Sequence, residues 1–250
     1  MAALVIAINV IGRNATVRGL MVTVDYKGND TLISQQTIEK DLLTVMPMLT
    51  TQKVKEIDTR AIRERVERSP YVEHCQSYVS ILGHVVVKAR QRSPLLHVYY
   101  GGKEFYIDRQ GHYVPRSKEG TAHVMVANGH FRQPDTVVAD TIFLPLMEKD
   151  STTMHHDLTR IWRVAHFIDQ EDYTPLFDQI YINQEGDIML TPKLGTHVVC
   201  VGDDENLPSK FEHLMALYKQ ALPRVGWDRY TLVDLKFKDQ IVCRKKDERK

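Results

Sequence analysis

The sequence predicts an α+β protein with a small β-α-α-β-β domain at residues 17–94. A larger, mainly antiparallel β domain with two helices follows at residues 95–243. Three observations support this fold class. Apolar residues alternate with a period of two in many short runs, as in half-buried strands. Four other segments carry apolar residues at helical spacing. Turns that contain glycine or asparagine separate the strand-like runs.

The small domain opens with LMVTVDY at residues 20–26, which alternates like a strand. Ser34 and Asp58 each precede a helical pattern, and each is placed to cap a helix N-terminus with a side-chain oxygen. An isoleucine pair flanks each cap as a hydrophobic staple, namely Ile33 with Ile38 and Ile57 with Ile62. Residues 71–82 and 85–92 then predict a β-hairpin. We expect both helices on one face of a three-stranded sheet.

Two hairpins are predicted in the larger domain. LLHVYY and KEFYID flank Gly101-Gly102, a pair typical of a two-residue hairpin turn. QIYINQEGDIMLTP predicts a second hairpin, which turns at residues 183–186. THVVCV at residues 196–201 predicts a further strand.

Two helices are predicted among these strands. The first carries the apolar residues Leu158, Ile161, Trp162, Ala165 and Ile168. The second is SKFEHLMALYKQAL at residues 209–222, with Asn206 or Ser209 as its N-cap and Pro223 as its end.

The composition favours a binding protein over an enzyme. The net charge of +1 gives no basic field for nucleic acid. The three cysteines, Cys75, Cys200 and Cys243, lie too far apart for metal-ligand spacing. The adjacent His155 and His156 would point about 100° apart on a helix, which disfavours joint ligation of one ion. Hydrolase, metalloprotease and nucleotide-binding motifs are absent from the sequence. We therefore predict no catalytic residue, metal or cofactor.

The N-terminus predicts a membrane contact. Residues 2–11, AALVIAINVI, are almost entirely apolar, but a bilayer span needs about 20 residues. No basic region precedes them, as a signal peptide would require. We interpret residues 1–16 as a partial transmembrane helix and linker, for which upstream codons would supply about ten more apolar residues. The alternative is an apolar segment packed on the domain.

The closing strand prediction rests on TLVDLKFKDQIVCRK at residues 231–245. Val233, Leu235 and Phe237 alternate with Asp234, Lys236 and Lys238. This alternation predicts one amphipathic strand, followed by a charged tail at residues 244–250. Two interpretations stay open: an edge strand that a partner extends, or an interior strand paired on both sides.

Several motifs resemble the bacterial division protein family FtsQ, called DivIB in some bacteria. The element order of the small domain resembles a POTRA domain. GGKEFYIDRQGHYVPRS at residues 101–117 is similar to the opening of the family's β domain, and VMVANG at residues 124–129 to its next strand. VDLKFKDQIVCRK resembles its closing strand, although the family favours Tyr at Phe237 and often has Gly at Gln240.

This resemblance implies a single-pass inner-membrane protein whose bulk is periplasmic. It would act as a divisome scaffold for FtsB-like and FtsL-like proteins and other divisome components. The expected contact is strand addition along residues 233–242, with Lys236 meeting a partner carboxylate. The predicted partner-binding residues are Val233, Asp234, Leu235, Lys236, Phe237, Lys238, Gln240 and Ile241. The alternatives are a POTRA-containing outer-membrane assembly factor and a His-dependent hydrolase.

Overall fold

The computed structural model describes residues 14–28, 30–132, 157–238 and 240–246 and divides the chain into two compact units. The first unit holds the chain up to Ser93 together with Pro115–Ala122. The second holds Pro94–Val114 and the chain from His123 onward. Segment 115–122 packs in the first unit and not, as predicted, in the second, because Ser117 Oγ donates to Leu32 O at 2.6 Å.

The first unit is a three-stranded sheet with two helices on one face. Its elements are β1 (Gly19–Asp25), α1 (Gln35–Val45), α2 (Thr59–Glu67), β2 (Val72–Val79) and β3 (His84–Gln91). The sheet order is β1-β3-β2, with β1 parallel and β2 antiparallel to β3. Val85, Val87 and Ala89 alternate along β3 and share one core with the apolar residues of both helices, Ile38, Leu42, Ile62 and Val66. The predicted arrangement of two helices on one sheet face is confirmed.

Both predicted helix caps are present. Ser34 Oγ accepts a hydrogen bond from Thr37 N at 3.2 Å, and Asp58 Oδ1 accepts one from Ala61 N at 3.0 Å. A third side chain fixes the loop before α1, because Gln91 Oε1 accepts from Leu32 N at 2.6 Å. These contacts satisfy backbone N–H groups that the helices and the loop would otherwise leave unpaired.

The second unit is built on a nine-stranded sheet. Its strands are β4 (Pro94–Tyr100), β5 (Lys103–Asp108), β6 (Tyr113–Pro115), β7 (Met125–Gly129), β8 (Phe177–Ile182), β9 (Ile188–Pro192), β10 (Val198–Gly202), β11 (Tyr230–Asp234) and β12 (Val242–Lys245). The order is β12-β11-β10-β9-β8-β7-β4-β5-β6. The sheet is mixed, because β7 is parallel to both β4 and β8, and β11 is parallel to β10. The α+β class is confirmed.

The hairpins of this sheet form where the sequence predicts them. Strands β4 and β5 meet at Gly101 and Gly102, whose φ angles of 57° and 74° are the positive values that a type I′ turn needs. Strands β8 and β9 turn through Asn183, whose carbonyl accepts from Gly186 N at 3.2 Å. Asp108 Oδ1 accepts from Gln110 N at 2.9 Å and so holds the turn after β5.

The helices of this unit are α3 (Asp157–Gln170), α4 (Leu207–Ala216) and α5 (Leu222–Val225). All five apolar residues predicted for the first of them are buried in one core with the inward side chains of the sheet. Trp162 also donates from Nε1 to Asp108 O at 3.0 Å, which ties α3 to the end of β5. His166 stacks on Trp162 with a centroid separation of 4.6 Å.

The predicted end of the second helix at Pro223 is wrong. Leu217–Ala221 forms a π-helical turn, and α5 continues the helix through Pro223 to Val225. A proline lacks the N–H of a regular helical bond and its ring crowds the preceding turn, and a wider π turn accommodates both defects. The helix ends instead at Gly226, whose φ is 97°. Asn206 is the N-cap residue, but its side chain makes no capping hydrogen bond.

Within the described ranges, no helix combines the length and apolar character needed to cross a membrane. The predicted membrane segment at residues 1–16 lies largely outside the described residues.

Removing the carboxylate cap of α2 tests the first unit. Asp58→Ala should lower the free energy of unfolding by about 1 kcal/mol, because Ala61 N loses its acceptor. Chemical denaturation would measure this change. Asp25→Ala is the control, since Asp25 is an exposed carboxylate whose ion pair is with the exposed Arg90. Equal stability losses in the two variants would contradict a capping role for Asp58.

Candidate partner-binding edge

The predicted closing strand is two strands in the structure. Strand β11 ends at Asp234, the chain turns between Leu235 and Ile241, and β12 returns antiparallel to it. Strand β11 therefore lies between β10 and β12, paired on both sides. The prediction that residues 233–242 form one edge strand is wrong, and the interior-strand alternative holds for β11.

The eight predicted partner-binding residues fall into three environments. Val233 and Leu235 are buried in the core of the second unit, and Ile241 packs partly against it. Asp234 Oδ1 accepts from Lys236 N at 3.0 Å, which starts the turn. The other four, Lys236, Phe237, Lys238 and Gln240, are exposed in the turn. Their role in binding a partner remains a prediction.

Lys236 already has a carboxylate within the chain. Its Nζ lies 2.6 Å from Asp187 Oδ2, in the turn between β8 and β9. The hydrogen bond to Asp187 is the main reason why the pKa of Lys236 is raised above its usual value. Burial raises the pKa of the Cys200 thiol to about 12, and its Sγ lies 3.8 Å from the same oxygen. Asp187 therefore joins β9, β10 and the turn after β11.

Gly202 gives Lys236 the space for this contact. A Cβ atom at Gly202 would lie 2.5 Å from Lys236 Cγ, closer than any real contact of this kind. Gly202 also has a φ of 81°, in the region that glycine adopts without strain. The end of β10 is thus shaped so that the Lys236 side chain passes directly over it.

Arg160 holds the same end of the sheet from the helix side. Its Nη1 donates to Gly186 O at 3.0 Å, and its Nη2 donates to Gly202 O at 3.2 Å. Asp157 and Asp204 lie within 3.6 Å of the guanidinium and balance its charge. The Gly186 carbonyl lies in the β8–β9 turn with Asp187, and the Gly202 carbonyl ends β10 beside Lys236, so α3 fixes the base on which the β11–β12 turn rests.

A groove of about 450 Å³ separates the β11–β12 turn from α4. Leu235 and Phe237 contribute apolar surface, and Lys210, Lys236 and Lys238 contribute cations. Lys210 pairs with Asp203 and Lys236 with Asp187. Phe237 is 46% exposed, which is high for an aromatic ring. The groove could accept an apolar side chain flanked by carboxylates.

Strand β12 is the last strand of the sheet in the described part of the chain. Lys246 N donates to Arg229 O at 3.0 Å, and Arg244 O accepts from Thr231 Oγ1, so both of these backbone groups point toward β11. Backbone N–H groups alternate in direction along a strand. Those of Cys243 and Lys245 therefore point away from the sheet, where a further strand could pair with them.

A family model described as FtsQ/DivIB, C-terminal related matches residues 93–244. This match covers more than half of the chain and nearly all of the described nine-stranded sheet. The chain belongs to this family. It is thereby assigned to the cell division proteins. No curated protein matches the sequence.

The family assignment concerns the second unit, where β12 and its turn lie. The five helices and strands of the first unit, from β1 to β3, lie before the matched range, so its identification as a POTRA domain remains a prediction. Among the described residues, no group of three or more His, Cys, Asp or Glu side chains is arranged to hold a metal ion. The features on this unit that stand out chemically are a strand edge and a basic, partly apolar groove.

Substituting Gly202 tests the support of the turn. Gly202→Ala should cost about 1–2 kcal/mol for a side chain at positive φ and about 1–3 kcal/mol more for the clash with Lys236. Gly102→Ala is the matched control, because Gly102 has a similar positive φ of 74° but has no atom within 4 Å of the added Cβ. Chemical denaturation should show the larger loss at Gly202. If Gly102→Ala costs as much, the Lys236 side chain does not constrain this position.

Proposed function

We propose that this chain is a divisome scaffold that binds an FtsB-like or FtsL-like partner by strand addition along the outer edge of β12. The observation that carries this proposal is the position of β12 at the end of a nine-stranded sheet. Its outward N–H groups, on Cys243 and Lys245, are the donors that an added strand requires. The partner strand would extend the sheet and take the place beside β12.

The charge at this edge supports a partner that carries carboxylates. Arg244 and Lys245 are exposed on β12, Lys246 is exposed directly after it, and Lys238 is exposed in the turn before it. Cations on an edge strand discourage pairing between copies of the same chain. They also attract an acidic partner and suppress neutral or basic competitors. The partner is expected to be a scaffold component, and no catalytic role is proposed.

The groove beside the turn would hold the residues of the partner that follow its added strand. Phe237 offers apolar contact there, and Lys238 offers a cation. Lys236 stabilises the turn through its ion pair with Asp187. Because Lys236→Glu would place two carboxylates together, it would disturb the fold as well as binding. Lys238 lies in the turn and not in the β12 ladder, so a proline at Lys238 would test the turn alone.

For the N-terminus, we propose that residues 2–11 belong to a single-pass inner-membrane anchor and that the bulk of the chain is periplasmic. The apolar character of this run supports the anchor. A divisome scaffold that recruits small partner proteins by strand addition would need such tethering to raise their effective concentration at the membrane.

A proline in β12 tests the docking edge. Lys245→Pro removes one outward N–H and leaves the exposed position otherwise intact. Loss of one ladder hydrogen bond, with the partner carbonyl left unpaired, costs about 1–3 kcal/mol, which weakens Kd about 5- to 150-fold. Titration calorimetry with the periplasmic segment of an FtsB-like protein from the same genome would measure this change.

Lys245→Ala is the matched control, because it removes the same charge but keeps the backbone donor. It should change Kd only slightly, as exposed ion pairs contribute about 0–1 kcal/mol. Melting temperatures of both variants would verify folding. If Lys245→Pro binds as tightly as Lys245→Ala while folded, β12 is not the docking edge.

A further inference from the structure

The hairpin between β2 and β3 ends in two adjacent apolar residues that are exposed to solvent. Ile81 is 104% exposed and Leu82 is 61% exposed. Hairpin turns normally carry polar residues or glycine. Single exposed apolar residues are common, but two adjacent ones at a protruding turn require a reason.

This turn is held firmly in place. Ser80 N donates to His84 O at 2.8 Å, and Gly83 N donates to Ser80 O at 2.9 Å. The Ser80 hydroxyl accepts a further bond from His84 N at 3.1 Å. The tip therefore presents its two apolar side chains on a preorganised support.

The apolar surface continues from the tip onto the open face of the sheet. Met21 on β1 and Tyr78 on β2 both lie opposite Val86 on β3, so the three residues form one row across the sheet. Met21 is 52% exposed and Tyr78 is 42% exposed. The row stands at the end of the strands nearest the tip.

The N-terminal segment enters the first unit at this same end. Arg18 N donates to Gly83 O in the tip at 2.9 Å, and Val17 N donates to Gln52 O at 3.0 Å. The loop that contains Gln52 adds another exposed apolar side chain, Met48, which is 63% exposed. Arg18 and Lys53 place two exposed cations beside these apolar groups.

The distance to the apolar run is short. Only residues 12–16 separate residues 2–11 from Val17, so Ile11 and Val17 are six residue steps apart and lie at most about 22 Å from each other. If residues 2–11 lie in a bilayer, as proposed above, this end of the first unit must lie close to the bilayer surface. Apolar side chains flanked by cations are the composition that such a surface binds.

We propose that Ile81 and Leu82 insert into the interface of an anionic lipid bilayer and form a second membrane contact beside the N-terminal segment. Arg18 and Lys53 would contact the lipid headgroups. This inference rests on the proposed membrane anchor. Beyond that anchor, contact of the hairpin tip with the bilayer would fix the orientation of the first unit relative to the membrane surface.

Fluorescent labelling of the full chain tests this contact. Leu82→Cys would be labelled with an environment-sensitive dye in a Cys243→Ser background. Cys75 and Cys200 should stay unlabelled, because burial raises their thiol pKa values to about 11 and about 12 and the thiolate is the reactive form. Asp25→Cys, at the opposite end of β1, is the matched control position.

Vesicles of phosphatidylethanolamine and phosphatidylglycerol, with and without brominated lipid chains, are the probe. We expect the emission at position 82 to shift to shorter wavelength and to be quenched by bromine, and the emission at position 25 to do neither. If the protein floats with the vesicles but both labels stay in water, the tip contact is wrong and the anchor stands. If the protein does not float, the anchor fails and the tip contact fails with it.

Discussion

The turn after β11 is held by two contacts of Lys236: its Nζ pairs with Asp187 across Gly202, and its backbone N–H donates to Asp234 Oδ1. Leu235 N still donates to Cys200 O in β10, and the chain leaves the sheet after it, where Lys236 reaches back to the β8–β9 turn. The reversal then returns β12 alongside β11 and leaves β12 as the last strand. Arg160 makes this base rigid by binding the carbonyls of Gly186 and Gly202. The proposed docking edge is therefore a consequence of contacts that lie outside it.

Local signals in the sequence were sufficient for most of the fold. Ser34 and Asp58 capped helices as predicted, because an N-cap needs only an oxygen a few residues before a free N–H. Gly101 and Gly102 formed their turn because adjacent positive φ values strongly favour glycine. The parallel pairing of β7 with β4 and β8 was not predictable in this way, since no local pattern records which distant strands become neighbours.

The candidate site was harder to predict for the same reason. The alternation of Val233, Leu235 and Phe237 suggested one strand, and the first two do lie in the core. The strand stops between them because Asp234 accepts a bond from Lys236 N and Lys236 pairs with Asp187, 49 residues away along the chain. The local signal for this turn was Asp234, because an Asp side chain can accept a hydrogen bond from the backbone N–H two residues later, here that of Lys236. The helix continuing past Pro223 likewise depended on a π turn that composition does not specify.

Residue-resolved amide hydrogen exchange in the presence and absence of the FtsB-like segment tests the central claim most directly. The N–H groups of Cys243 and Lys245 point outward, whereas that of Arg244 points toward β11, where Arg244 pairs with Leu232. We expect partner binding to slow exchange strongly at Cys243 and Lys245 and only weakly at Arg244. Protection that leaves Cys243 and Lys245 unchanged while the partner is bound would contradict strand addition at β12.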